Sequence, residues 1–341
     1  MNARIDKNLF FSMTKDYIEN YIPTIGPEYK ATQESYRDAL TIFRRYLTDD
    51  LKIKASSFKF SDLSYDFVLD YRIALSKKYA TATVNHRLAA LKAYVEYAAN
   101  RLIELEPIHI AIMKVPQLKV TTEIRTTIDD ENLLKEYLDA PSQSDIGVRD
   151  RVILNTLYDT AIRVEELARL DLIDVCIHYE VPYLNIQGKG GSHRRVCLND
   201  NTVSLIQQYI GIYHPERINC PFLYTIIKGH KDRMSIRNIQ RIVRKYADIV
   251  RKRHPEFPEN VYPHMLRRTR ITDWYDEGIS IEVIAELAGH KHTATTKKHY
   301  AKPSMKVLRS EAEKGSDVIP GPKEKPLWED DEEFSRFVGL R

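Results

Sequence analysis

The sequence predicts a mainly α-helical protein of two domains: an all-helical bundle first, then a mostly helical domain carrying a small antiparallel sheet. Three observations lead there. At 341 residues the chain is longer than one compact core usually needs. Apolar residues recur at helical spacings through most of it. The period changes to two around a single glycine-rich turn, between Val181 and Leu198. A composition of 43% hydrophobic and 29% charged residues excludes collagen-like, membrane and largely disordered classes.

Taken in order, residues 27–47 place Tyr29, Tyr36, Leu40, Phe43 and Leu47 on one helical face. Residues 61–76 open with a Ser or Asp cap and carry Leu63, Phe67, Val68, Tyr71 and Leu75. Residues 81–100 present Val84, Leu88, Leu91 and Val95, with Thr81 as the expected cap. These helices make one small bundle. From Pro107 through Thr127 the helical period fades and Pro107 and Pro116 intervene, so the linker is placed at 113–127, between a first domain at 1–112 and a second at 128–310. The second domain opens with helices at about 129–139 and 145–160, then Arg163 to Leu170. Leu184 and Ile186 precede Gly188-Lys189-Gly190-Gly191, and Val196 and Leu198 follow it, which reads as a β-hairpin. Residues 235–253 return to helix, with Ile236, Ile239, Val243, Tyr246 and Val250 on the buried face.

The first seven residues are polar with no apolar run behind them, and no stretch is long and apolar enough to span a bilayer, so neither export nor a membrane is expected. Cys176, Cys197 and Cys220 are odd in number and widely spaced, which indicates neither a disulfide framework nor a zinc site and suits a reducing cytoplasm. The net charge of +4 is modest but unevenly spread: residues 311–341 carry −4 and residues 1–310 carry +8. Between Lys228 and Arg253 ten Lys or Arg face two Asp, a density that would neutralise phosphates, although a solvated helix face looks the same in a sequence.

One ordered set of residues carries the chemistry: Arg163 in Ala-Ile-Arg-Val-Glu-Glu-Leu, Lys189 in the glycine turn, His264 and Arg267 in Pro-His-Met-Leu-Arg, His290 in Leu-Ala-Gly-His, and Tyr300 in Thr-Thr-Lys-Lys-His-Tyr. Singly, each has an ordinary explanation. Arg163 would be a surface residue, Lys189 a solvated turn lysine, His290 a helix-end histidine, and Tyr300 one structural tyrosine among 21. The ordered combination closely resembles the tyrosine recombinase family of phage integrases, Xer proteins and transposon integrases. That likeness is strong over about 150–303 and weaker in Thr83-Val84-Asn85-His86-Arg87-Leu88-Ala89-Ala90-Leu91, which is similar to the family's DNA-gripping helix.

The resemblance implies a SAM-like core-binding bundle followed by a catalytic domain, together clamping duplex DNA, and a reaction that cuts and rejoins strands through a 3′-phosphotyrosine on Tyr300. A phenol with a pKa near 10 needs its proton removed and the added negative charge stabilised. Arg163 and Arg267 suit the phosphate oxygens, since a guanidinium keeps its charge and bonds in fork geometry. Lys189 is implied as general acid for the departing 5′ oxygen, His264 as a proton carrier near the tyrosine, and His290 as a hydrogen-bond donor to the phosphate. His264 and Arg267, three residues apart, fall on one face at a helix start. Glu166 matches an acidic position of the family and would support an arginine, unless it is merely an exposed helical carboxylate. Because the phosphotyrosine conserves the energy of the broken bond, neither metal nor cofactor is required. Gly188 to Gly191 does not suggest a nucleotide loop, because a strand rather than a helix follows.

Three departures from the family pattern stand out: Tyr300 lies ten positions after His290, one more than the commonest family spacing, Arg268 stands where many relatives have a second histidine, and Ala161 replaces a frequent glycine. Candidate DNA contacts are Lys77, Lys78 and Arg87 in the first domain and Lys228, Lys231, Arg237, Arg241 and Arg244 in the second. Partners implied by the resemblance are double-stranded DNA, further copies of the chain as a dimer on each site and a tetramer in synapsis, and an accessory directionality factor. The acidic, aromatic tail at 311–341 would dock on a neighbouring protomer. The natural role would be integration, excision or transposition of a mobile element. Two other readings share these features, a type IB topoisomerase and a non-catalytic DNA-binding regulator.

Overall fold

The computed structural model describes residues 7–26, 29–120, 126–188, 193–216, 219–227, 229–289, 307, 309–310 and 331–339. The chain divides into two compact units, Met1–Arg125 with Gln187–Ser192, and Thr126–Ile186 with His193–Arg341.

Residues 7–26 and 29–113 of the first unit are mainly helical, with an isolated bridge between Leu9 and Lys59. After short turns including α1 (Thr14–Asp16) come α2 (Tyr29–Arg45), α3 (Tyr65–Ser76), α4 (Thr81–Ala99) and α5 (Glu106–Met113). The expected faces are buried: Leu40, Phe43 and Leu47 near α2, Val68, Tyr71 and Leu75 on α3, and Val84, Leu88, Leu91 and Val95 on α4. Aromatic rings fill the centre. Phe10 lies 5.1 Å from Phe43, 5.1 Å from Phe60 and 5.2 Å from Tyr94, in the edge-on and tilted arrangements that ring quadrupoles favour. Ser64 caps α3 by accepting the Phe67 N–H. Thr81 does not cap α4; Ala80 occupies that position without a side-chain bond.

Helix α5 lies where the period fades in the sequence. Pro107 is in its first turn, where a missing N–H costs nothing. Part of the expected linker is also bound to the first unit. Asn85 pairs with both backbone groups of Leu118 at 2.9 Å, Lys92 Nζ donates to the carbonyls of Met113 and Val115, and Arg72 donates to that of Pro116.

The second unit contains α6 (Glu131–Asp139), α7 (Asp145–Asp159), α8 (Val164–Arg169), β1 (Val175–Cys176), β2 (Tyr183–Gln187), β3 (His193–Cys197), α9 (Asp200–Tyr213), β4 (Tyr224–Ile227), β5 (His230–Arg233), α10 (Ile236–Arg251), α11 (Pro263–Asp276) and α12 (Ile281–Ala288). Strands β1, β2 and β3 form one sheet in that order, with β1 antiparallel to β2 and Val175 opposite Leu184. Leu184, Ile186 and Val196 are buried, so the alternation does mark the inward face. A second antiparallel hairpin, β4–β5, went unpredicted because β5 is exposed at every residue and shows no alternation.

Asp130, Ser144 and Ser235 cap α6, α7 and α10. On α10 the buried residues are Ile239, Ile242, Val243, Tyr246, Ala247 and Val250; Ile236, expected among them, is 37% exposed at the first helical position. Two bonds join α11 to the start of this unit: Arg268 donates to the Thr126 carbonyl, and the Ile128 N–H donates to Thr269. Among the described residues, no helix is long and apolar enough to cross a membrane. The three cysteines are unbridged.

Candidate active site

Helix α7 ends at Thr160, and the chain turns sharply through Ala161, which adopts a left-handed φ of 48° while completely buried. Such a conformation costs a non-glycine residue on the order of 1 kcal/mol. It sets Arg163 as the extended cap of α8. Three residues on, Glu166 folds back and accepts both the Arg163 backbone N–H, at 2.8 Å on Oε2, and Arg163 Nη1, at 3.0 Å on Oε1.

Arg194, on β3, completes this cluster. Its Nη1 and Nη2 each lie 2.9 Å from a different oxygen of Glu166, a bidentate fork. Glu166 therefore accepts four hydrogen bonds, about the full capacity of a carboxylate. Burial acts to raise its pKa, but the bonds and charges of Arg194 and Arg163 outweigh that and hold it below its ordinary value. Glu166 is 6% exposed, so it is not the solvated helical carboxylate weighed above. The Arg163 side chain, by contrast, remains 40% exposed.

Arg267 projects from α11 into the protein and is 1% exposed. Its Nη1 donates to the Ala161 carbonyl and its Nη2 to the Ala288 carbonyl at 2.8 Å. One guanidinium thus ties down the backbone two residues before Arg163 and two residues before His290. Beyond Ala288, Gly289 takes a left-handed φ of 66° and closes α12. A Cβ there would come within 2.5 Å of Arg194 Cζ, so any larger residue requires that guanidinium to shift, besides straining a left-handed backbone.

His264 lies in the first turn of α11 and is exposed, whereas its neighbours Pro263, Met265 and Leu266 are buried. Arg268, in place of the family's second histidine, is buried and bonds Thr126 and Tyr262. From the expected set the structure joins Arg163 to Glu166, and it adds Arg194; Arg267 bonds the backbone two residues before Arg163. Lys189, His290 and Tyr300 lie outside the described residues, as does Lys228.

Of the remaining candidate DNA contacts, Arg237, Arg241 and Arg244 form an exposed row on α10, opposite its buried face. Lys231 is exposed on β5 with its ammonium 5.0 Å from the Tyr224 ring centre. In the first unit Lys77 is exposed, Lys78 pairs with Asp50 at 2.9 Å, and the Arg87 guanidinium lies 3.4 Å from the Tyr79 ring centre.

Residues 127–306 match the phage integrase family, and residues 9–113 match the phage integrase SAM-like domain. The chain belongs to the phage integrase family, the tyrosine-type site-specific DNA recombinases. It is 28% identical over 295 residues to tyrosine recombinase XerC of Pelotomaculum thermopropionicum, covering 82% of this chain and 91% of that one. XerC of Chlamydia caviae is 27% identical over 312 residues, with coverages of 86% and 94%. Among solved structures, an integrase of the transposon Tn1549 in complex with a circular intermediate DNA aligns at a TM-score of 0.63 and 16% identity, over 91% of this chain and 99% of that one. A lambda integrase dimer bound to a COC′ core site aligns at 0.61 and 15%, over 84% and 94%.

Proposed function

We propose that the chain cuts and rejoins duplex DNA through Tyr300. The phenolic oxygen attacks the scissile phosphorus and its proton passes to His264. The bond from phosphorus to the 5′ oxygen breaks, and Lys189 protonates that oxygen as it leaves. The 5′ hydroxyl of another strand reverses the sequence and frees the tyrosine. Arg163 and Arg267 stabilise the non-bridging oxygens, with His290 donating a further hydrogen bond. The observation that carries this reading is the pair of arginine networks, in which Glu166 holds Arg163 while Arg267 grips the Ala161 carbonyl two residues away.

The biological setting we propose is integration, excision or transposition of a mobile element, by copies of the chain that pair on each site and form a tetramer in synapsis. The likeness to the Tn1549 and lambda integrases supports it. The test is incubation with duplex DNA carrying a nick beside candidate sites, which traps the covalent intermediate. A protein–DNA adduct that disappears in Tyr300→Phe is expected, and the sequences joined to the trapped protein would identify the site. An adduct that persists in Tyr300→Phe would refute the assignment.

A further inference from the structure

We infer that Arg194 is a positioning residue for the strand-cleavage reaction, acting through Glu166 on Arg163. The inference rests on the reading above of Arg163 as a phosphate-binding group. Arg194 is not itself offered as a contact to DNA. Both of its terminal nitrogens bond the Glu166 carboxylate, whose charge offsets its own, whereas Arg267 bonds two neutral carbonyls.

Three stretches of chain meet at this guanidinium. Arg194 is five residues after Lys189 in sequence and belongs to β3. Its terminal nitrogens hold Glu166, whose two oxygens also accept the backbone N–H and Nη1 of Arg163. Its Cζ packs against Gly289, the residue before His290. Among the described residues, the bond from Nη1 to Glu166 is the one hydrogen bond made by the Arg163 guanidinium, so its orientation depends on where that carboxylate is held. Without Arg194, Glu166 would keep a single partner residue and could rotate with it, whereas a forked contact on both oxygens fixes the carboxylate plane. Misplacing a reacting group by about 1 Å costs on the order of 10²-fold in rate.

The experiment measures adduct formation on the nicked DNA at saturating full-length protein, with DNA affinity and the thermal midpoint recorded for each variant. Arg194→Gln is expected to slow adduct formation by about 10²-fold while leaving DNA affinity within about twofold. Arg194→Lys keeps the charge but not the fork, and should recover only part of that loss. The readout that a merely structural role would not produce is coupling. In a Glu166→Gln background, Arg194→Gln should add less than about threefold, because the route it acts through is already broken. Wild-type rates in either Arg194 variant, or losses at Arg194 and Glu166 that multiply, would overturn the inference. If Arg194→Gln does not fold, Arg194→Lys decides by the same criteria. Should the wild-type protein form no adduct, the proposed function fails and takes this inference with it; a normal wild-type adduct with an unaffected Arg194→Lys sinks the inference alone.

Discussion

Replacing Glu166 with glutamine removes one negative charge from between two guanidinium groups while conserving shape. The carboxylate accepts four bonds of 2.8–3.0 Å. Glutamine keeps one acceptor oxygen and turns an N–H toward the other donors, so two bonds are lost. A bond to a charged partner is worth about 1.5–3 kcal/mol when buried. The Arg163 share is discounted, because its side chain is 40% exposed and solvent screens it. The Arg194 share stands nearly whole at 13% exposure. Sparing the desolvation of a carboxylate offsets part of the loss, leaving about 2–4 kcal/mol of destabilisation in the second unit at neutral pH. Trp274 reports on that unit, since it packs with Ala161, Ile271, Ile284 and Ala288. With Trp328, the other tryptophan, replaced by phenylalanine, urea titration followed by fluorescence reads the second unit alone. The pH dependence has a definite sign. The Glu166 pKa is depressed in the folded protein from an ordinary 4.5, so its stabilisation is complete above that value and fades as pH falls through the lower folded-state value. The gap between wild type and Glu166→Gln should therefore be widest near neutrality and narrow in acid. A gap below about 0.5 kcal/mol at neutral pH, or one that widens in acid, would refute this account of the cluster.

Gly289→Ala should destabilise the second unit by more than Gly278→Ala, although both glycines have left-handed φ, of 66° and 84°, because only at 289 does the added methyl meet Arg194. Each carries a backbone cost of about 1–2 kcal/mol, and the difference between them in Trp274-detected unfolding isolates the collision. Asn85→Ala should cost the first unit about 1–2 kcal/mol by releasing both backbone groups of Leu118, and should speed limited proteolysis near residues 113–120; unchanged cleavage there would show that Asn85 does not anchor the segment. Replacing Arg237, Arg241 and Arg244 together with alanine should leave folding intact, since all three are exposed, and flatten the salt dependence of DNA binding by a slope of about 2.7; an unchanged slope would remove the α10 face from the DNA contact surface.

The helices of the first unit were legible because each buries one face, and the period of Val84, Leu88, Leu91 and Val95 survives any loop geometry. Helix α5 was not legible. Its apolar residues Ile108, Ile110, Ile112 and Met113 are too few for a clear period, and a proline near its start reads as a break unless the capping position is known. The binding of residues 113–118 by Arg72, Asn85 and Lys92 joins side chains distant in sequence to backbone groups, which no local pattern records. In the second unit, the motif around Arg163 pointed to Glu166 but not to Arg194. A signal was present: Arg194, Val196 and Leu198 fall on one face of an alternating strand, and Val196 and Leu198 are buried. An arginine in line with inward-facing residues needs acceptors for its guanidinium, and Glu166 supplies them.

The two arginine networks solve one electrostatic problem in different ways. In the proposed chemistry, the groups around a phosphodiester must be fixed in place yet keep enough positive charge to attract an anion. A carboxylate fixes a guanidinium strongly but cancels its charge, and one carboxylate shared between Arg163 and Arg194 leaves a surplus of one positive charge at the exposed end of the pair. Arg267 is oriented through the carbonyl oxygens of Ala161 and Ala288, which are dipoles and carry no net charge to subtract. The carbonyl route demands that the backbone present its oxygens at the right place. The left-handed turn at buried Ala161 does so on one side and the end of α12, closed by left-handed Gly289, on the other, which gives a physical reason for keeping a strained alanine at the first of these turns.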